Sequence, residues 1–415
     1  MDTKSGSMHV VMVPWLAFGH ILPFTELAKR IAQQGHRVTL LSTPRNTRRL
    51  IRIPPDLAGL VRVVDVALPR VDGLPEDAEA SIDLTSVDLR PYLFRAWDAA
   101  FAGNLSDLLQ EPEPWRPDWV LIDYAAHWAP AAAARHGYAN RKAEQLTAVP
   151  DYVPFPTIVR YRGYEAWAKV KLDLMVDDSG VSEGYRFAKC IEESQLVGVR
   201  SSMEFEPEWL QLVAELYKKP VIPAGLFPPP PTQDLTGHEE TLRWLEMQAP
   251  GSVVYAAFGS EAKLTSAQLH TIALGLEASG LPGLVCRGWV PQVTFLEHAS
   301  VGGFLTHAGW NSITEGLANG VRLVLLPMVF EQGINARHMV EKKIGIEVAR
   351  DGDDGSFTAE DIAAALRRVM VEEEGEELRV KVKELTKVFG NDEVNDQCVR
   401  DFLRCLKEHS RRDKD

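Results

Sequence analysis

Residues 9–43 read "HVVMVPWLAFGHILPFTELAKRIAQQGHRVTLLST", and this stretch decides the fold. Its first five residues are an apolar, β-branched run of strand length. After the "PWLAFGH" turn, Phe24, Leu27 and Ile31 recur at i, i+3 and i+7, the period of one helix face. Gly35 stops that helix and "HRVTLLS" reads as a second strand. Strand, helix and strand in succession predict a βαβ unit, and therefore a parallel sheet with a right-handed crossover.

The same grammar repeats outward from there. In "WRPDWVLIDYAAHWAPAAAARHG", "WVLID" is a buried strand and "HWAPAAAARH" a helix, and "LVGVRS" at residues 196–201 is another strand. Residues 141–175 read as a loop and a helix lining a cleft. Four consecutive prolines, Pro228 to Pro231, favour an extended linker, and a second series of alternating strands and helices follows them. That series contains "SVVYAAFGS", "TSAQLHTIALGLEASG", "GGFLTH", "NSITEGLANG", "RLVLLPM", "GIEVAR" and "TAEDIAAALRRVMVEEE". The expected organisation is an α/β chain of two Rossmann-like domains facing across a cleft. The N-terminal domain covers residues 1–222, the linker 223–236, and the second domain 237–390. A helix within 391–415 carries Val394, Cys398, Phe402 and Cys405 on one stripe and is expected to pack back on the first domain.

Composition narrows the function classes. A chain of 415 residues with 45% hydrophobic and 25% charged residues is globular and large enough for two cores. A net charge of -13 argues against nucleic acid and anionic membranes as partners, so an anionic ligand would have to be held by local dipoles. Cys190, Cys286, Cys398 and Cys405 have neither metal-ligand spacing nor the density of a disulfide scaffold. No run approaches the roughly 20 apolar residues of a membrane span, and "MDTKSGS" lacks a basic leader. A cytoplasmic monomer is expected.

The chemistry concentrates where strands end. In doubly wound sheets, ligands bind at the carboxyl ends of strands, where helix N-termini present N–H groups and partial positive charge. The turn "HAGWNS" at residues 307–312 is such a place: His307 closes a strand, Gly309 permits close backbone approach, and Asn311 and Ser312 are capping residues. Ser312 and Glu315 also satisfy the spacing of a capping box, a purely structural alternative that leaves His307 and Trp310 unexplained. Gly259 and Ser260 end another strand. Trp289 offers a flat ring for stacking on a nucleobase and Gln292 an amide to pair with it, although a tryptophan before a proline turn is more often core.

Taken together, residues Trp289 to Gln332 strongly resemble the signature box of plant family-1 UDP-sugar-dependent glycosyltransferases, in "WVPQ", "THAGWNS", the following "EG" and the closing acid-Gln pair. The likeness extends over most of the chain and implies the two-Rossmann-domain (GT-B) fold. It implies that Trp289 stacks on uracil, that the Val290 backbone and Gln292 hold the base, and that Glu315 takes the ribose hydroxyls. His307, Gly309, Asn311, Ser312 and Ser260 would bind the diphosphate, and Trp310, Glu331 and Gln332 would face the sugar. No cofactor or metal is implied, the UDP-sugar being a co-substrate. His20 follows the first strand's turn and Asp123 ends "WVLID", so both lie at the same end of one parallel sheet and match the family's catalytic pair. His127 is the competing base.

Resemblance also implies inverting transfer of glucose from UDP-glucose to a small-molecule hydroxyl. "PWLAFGHILPF" is similar to the sugar-on-sugar branching subgroup, whose acceptors are glycosides of flavonoids, steroids or terpenoids. Arg322 stands where proline is usual and Glu331 where aspartate is usual. "DGD" at residues 351–353 copies the carboxylate pattern of metal-dependent glycosyltransferases but lies in the Gly-rich turn "RDGDDGS". Strands expected after Gly137 and after Gly280 are missing, so segments have been omitted or deleted there; an intact mass of 46.2 kDa would exclude omission. Two other function classes compete. A dinucleotide-dependent oxidoreductase should show G-x-G-x-x-G after an opening strand, which neither half has. A non-catalytic nucleotide-sugar binding protein would bind the donor without turnover.

Overall fold

A computed structural model describes residues 7–112, 114–128, 143–232, 234–286 and 290–412. Eleven strands appear in chain order: β1 (His9–Val13), β2 (Arg37–Ser42), β3 (Val61–Asp65), β4 (Trp119–Ile122), β5 (Val197–Val199), β6 (Val221–Pro223), β7 (Val253–Ala257), β8 (Gly283–Val285), β9 (Val301–Thr306), β10 (Arg322–Leu325) and β11 (Gly345–Glu347). They form two main parallel sheets, ordered β3-β2-β1-β4 and β11-β10-β9-β7-β8, and a small parallel pair, β5-β6. β1 and β10 are buried at every position, as parallel strands covered by helices on both faces must be.

The chain divides into two compact units. One comprises residues 1–140, 172–227 and 392–415, and the other 141–171 and 228–391. The four prolines therefore open the longer segment of the second unit, at Pro228. Residues 141–171 belong with the second unit instead of the N-terminal half, and packing explains why. Ala143, Tyr161 and Ala166 form an apolar cluster with Ile334, Arg337 donates to the Arg160 carbonyl at 2.6 Å and pairs with Glu165, and Arg162 pairs with Glu347 at 3.1 Å.

In the first unit the helix Phe18–Gln33 starts earlier than the turn reading suggested and places His20 in its first turn. Ile21, Ala28 and Ile31 are fully buried in a cluster with Val10 and Leu40. The final helix, Asp392–Arg412, joins the same cluster through Val399, Phe402, Leu403 and Leu406. Its buried stripe is rotated from the expected one, leaving Cys405 partly buried, because Asn395 turns inward to accept the N–H groups of Leu226 (2.7 Å) and Phe227 (3.2 Å). The strand expected to be missing after Gly280 is present as β8, three residues long and paired with β7. The helix read into "HWAPAAAARH" falls largely on residues 129–142, outside the described residues.

Candidate active site

Strand order decides where each polar group goes. β1 leads to β2 on one side, yet its other neighbour is β4, so the sheet reverses direction between β1 and β4. At such a switch point the loops after the two strands diverge and leave a crevice. Val13 pairs with Ile122, so the segments running to His20 and Asp123 leave that crevice side by side. His20 Nδ1 lies 2.7 Å from Asp123 Oδ2. Asp123 Oδ2 also accepts the Trp15 N–H at 3.0 Å, and Oδ1 accepts the Tyr124 N–H at 2.7 Å. Burial alone would raise this carboxyl's pKa. The His20 charge and hydrogen bond and the two backbone N–H groups outweigh it and hold the group below its ordinary value. An ionised carboxylate can only accept, so His20 donates from Nδ1 and its neutral form carries the lone pair on Nε2. The imidazole is about a third exposed, the aspartate nearly buried.

His127 has a different fate. Arg186 Nη1 donates to its Nδ1 at 3.0 Å, and a guanidinium has no acceptor to offer in return. Burial first and the Arg186 charge second keep the imidazole's pKa below its usual value and oppose the positive charge that a captured proton would bring. That makes it unsuited to take a proton.

The second unit has its own switch point, between β7 and β9. Ala257 pairs with Thr306, and Thr306 with Leu325, so the loops carrying Gly259 and Ser260, His307 to Ser312, and Glu331 and Gln332 all emerge at the same end of adjacent strands. The helix Trp310–Ala318 begins directly after the Ala308-Gly309 turn, with Gly309 as N-cap and no capping side chain. This corrects the capping-box reading: Ser312 lies inside the first turn and is buried, because the helix starts two residues before it. The backbone N–H groups of residues 310–312 lie in the first turn of this helix, at the positive end of its dipole.

His307 shapes that turn. A Cβ on Gly309 would lie 2.4 Å from its Nε2, and one on Gly259, whose φ is +68°, would lie 2.6 Å away. The ring thus packs between the two loops, and only glycine lets both backbones approach it. Burial drives the His307 pKa down to about 4 against a weaker opposing hydrogen bond with the Ala257 backbone, so the ring is neutral. Ala308 adopts φ +63°, a left-handed conformation unusual for alanine, between the strand and the helix start.

Gln292, Ser312 and Glu315 come together beside the turn. Gln292 opens the helix Gln292–Glu297, and its Nε2 donates to Glu315 Oε2 at 2.6 Å and lies 3.4 Å from Ser312 Oγ. Gln332 is buried, and its Oε1 accepts the N–H groups of Met328 and Val329, both at 2.9 Å, which leaves its NH2 for any ligand. Glu331 is exposed at the N-cap of the helix Gln332–Glu341, and Trp310 and Asn311 are half-buried at their helix start. Val290 is half-buried, while Trp289 falls outside the described residues. Asp351 Oδ1 accepts the Asp353 N–H at 2.8 Å and the Asp354 N–H at 3.3 Å, so "DGD" is a self-satisfied turn. Arg322 has an internal task, donating to the Gly302 carbonyl at 2.9 Å and the Val369 carbonyl at 2.8 Å. All four cysteines are free, and no helix among the described residues is long and apolar enough to cross a membrane.

A glycine-lined helix start at one sheet's switch point and a carboxylate-oriented histidine at the other's are the places where α/β proteins bind ligands and can do acid–base chemistry. Comparison with known proteins makes this specific. The family described as "UDP-glucoronosyl and UDP-glucosyl transferase" matches residues 251–388. UDP-glycosyltransferase 91C1 of Arabidopsis thaliana is 38% identical over 463 residues, covering 98% of both chains, and soyasaponin III rhamnosyltransferase of Glycine max is 32% identical over 97% of this chain and 96% of its own. The fold matches the crystal structure of UGT73P12 of Glycyrrhiza uralensis with a TM-score of 0.73 at 21% identity, over 99% of this chain and 97% of that one. The chain belongs to the plant family-1 UDP-glycosyltransferases and has their GT-B fold. This sets aside the oxidoreductase reading. An alignment of 463 residues exceeds the 415 of this chain, so the Arabidopsis relative has internal segments that this chain lacks.

Proposed function

We propose that this glycosyltransferase moves glucose from UDP-glucose, with inversion at the anomeric carbon, to a sugar hydroxyl of a terpenoid, steroid or flavonoid glycoside. One observation carries the reading: the 2.7 Å hydrogen bond between His20 and the Asp123 carboxylate, which leaves a basic Nε2 on a partly exposed ring. Nε2 takes the proton of the acceptor hydroxyl, the oxygen attacks the anomeric carbon, and the bond to the diphosphate breaks on the opposite face. UDP leaves, and Asp123 stabilises the imidazolium that forms. A positioned base of this kind contributes about 10²- to 10⁴-fold.

Donor binding follows the second unit. The N–H groups at residues 310–312, with Asn311, Ser312 and Ser260, meet the diphosphate and the negative charge that grows on it, which is electrostatic work that needs no metal. His307, buried and neutral, acts by shaping this cradle. Trp289 stacks on uracil, the Val290 backbone and Gln292 hold the base, and Glu315, tied to Gln292, takes the ribose. Trp310, Glu331 and the Gln332 NH2 face the hexose. A second donor, UDP-rhamnose, is favoured by one observation, the similarity to a rhamnosyltransferase. Sugar-on-sugar transfer is supported by the similar turn "PWLAFGHILPF". We place the enzyme in the cytoplasm as a monomer.

The test is UDP release from UDP-glucose and UDP-rhamnose across a panel of aglycones and glycosides, with wild type and His20→Ala. Glucose transfer to glycosides, falling at least about 10²-fold in the variant at unchanged UDP affinity, is expected. Undiminished turnover in His20→Ala removes His20 as base, and UDP-glucose binding without turnover of any acceptor would leave a binding protein.

A further inference from the structure

Two ion pairs, each with a buried arginine and a partly buried carboxylate, cross between the helices Arg90–Leu109 and Glu183–Glu193 of the first unit. Arg90 of the first helix meets Glu183 of the second at 3.0 Å, and Arg186 of the second meets Asp98 of the first at 2.7 Å. Both pairs grip the segment that follows β4. Arg90 Nη2 donates to the Tyr124 hydroxyl at 3.1 Å. Arg186 Nη1 donates to the Ala125 carbonyl at 3.1 Å as well as to His127, and Asp98 Oδ1 accepts the Trp128 indole N–H at 2.8 Å. One turn beyond Arg186, the Cys190 thiol donates to the Tyr124 carbonyl at 3.2 Å.

The grip reaches the dyad by a second route. Both guanidinium groups lie over the Phe94 ring, at 5.6 Å for Arg90 and 4.3 Å for Arg186. Trp15 stacks on that ring at 4.1 Å, and the Trp15 N–H is one of the donors to Asp123.

We propose that this crossed clamp, and Arg186 above all, is a positioning device for the reaction: it sets the residue 123–128 segment so that the Asp123 carboxylate meets His20 Nδ1. It rests on the reading of His20 as base. Past Ile122 the chain has left the strand ladder and its carbonyls need other partners. A planar, fully buried guanidinium that holds a carboxylate through two nitrogens and a carbonyl through one of them fixes that backbone in one place. Buried ion pairs seldom add net stability over apolar packing, whereas they do fix geometry. A shift near 1 Å in a group that orients a base costs up to about 10²-fold in rate.

The test uses the double variant Asp98→Asn/Arg186→Met, which removes both charges together and keeps an acceptor for Trp128, alongside Arg186→Lys, which keeps the charge and loses the fork. The readout is the pH profile of turnover. The groups around His20 include the Asp123 carboxylate, at 2.7 Å, and the Tyr124 phenol, whose ring lies 5.7 Å away. A displaced carboxylate favours the imidazolium less, so the acid limb moves to lower pH while turnover falls roughly 10- to 10²-fold and the KM for UDP-glucose stays put. Arg186→Lys falls between. A mere loss of folded enzyme scales the profile without moving its limb. A limb unmoved in the folded double variant, or in Arg186→Lys if the double variant does not fold, overturns the clamp. His20→Ala separates the two claims: if its turnover keeps the wild-type limb, the base assignment fails and the clamp with it.

Discussion

Asp123→Asn preserves size and removes charge, and the hydrogen bonds around the site predict the outcome. Three N–H donors converge on the carboxylate: Trp15 and His20 on Oδ2, Tyr124 on Oδ1. An amide has only one acceptor oxygen. With that oxygen at the Oδ2 position, the NH2 opposes the Tyr124 N–H. With the amide turned, the NH2 opposes the Trp15 N–H but can donate to His20, provided that His20 moves its proton to Nε2. Each arrangement has one unsatisfied donor, costing about 1–3 kcal/mol. Both keep two hydrogen bonds, from Trp15 and His20 to the oxygen in the first and from Tyr124 to the oxygen and the amide to His20 in the second, so the turned form takes a comparable share of the molecules. In that form Nε2 already carries a proton and cannot act as base. The stabilisation of the imidazolium by a neighbouring carboxylate, up to about 4 kcal/mol at an effective dielectric near 20, is also lost. Turnover should therefore fall about 10²- to 10³-fold in a UDP-release assay, with the calorimetric Kd for UDP unchanged. Acid stability should change as well. The native carboxyl is held below its ordinary pKa, so its contribution is complete above about pH 4 and disappears as the pH falls through the native value; the variant lacks this acid-side loss. Turnover within threefold of wild type in a folded variant would refute the role given to the carboxylate charge.

Gly309→Ala should weaken UDP binding by at least about tenfold, or about 1.4 kcal/mol, because the new Cβ would meet His307 Nε2 at 2.4 Å and neither the buried ring nor the turn can yield without moving the helix start. For His307 the buried ring resists protonation to about pH 4, whereas the unfolded chain takes up that proton near pH 6.5. Its stabilising effect is thus complete above about pH 6.5 and declines by about 3 kcal/mol as the pH falls to about 4; urea unfolding at pH 7 and pH 5 should show a slope that His307→Gln flattens. Trp289→Ala should raise the Kd for UDP without a comparable change in the turnover of saturated enzyme, and an unaltered Kd measured by calorimetry would count against uracil stacking.

Much of this architecture is written locally. "HVVMV", the Phe24, Leu27 and Ile31 stripe and the "GGFLTH" run carry their periods within a few residues, and burial makes those periods necessary. Strand order is not local. That β1 borders β4 and β7 borders β9 depends on how whole sheets assemble, and these neighbours bring Asp123 to His20 and Gly259 to His307. Ser312 and Glu315 fitted a capping box by spacing, but the helix began at Trp310 because Gly309 and the left-handed Ala308 end the turn earlier. Residues 141–171 looked like part of the first half on chain position, and contacts such as those of Arg337 with Arg160 and Glu165 reveal their allegiance. Arg186 gave no signal at all: one arginine on an amphipathic helix reads as surface, and its complete burial depends on Asp98, far away in sequence. His127 and His20 were both candidates as base, and the Arg186 charge beside His127 is visible only in three dimensions.

The most direct measurement is a crystal structure of the enzyme with UDP-glucose and a non-reacting glycoside. Diphosphate oxygens should lie about 2.7–3.2 Å from the backbone N–H groups of residues 310–312, with the acceptor hydroxyl within hydrogen-bond reach of His20 Nε2. A diphosphate bound elsewhere, or an acceptor hydroxyl out of reach of His20 while aligned with the anomeric carbon, would contradict the account.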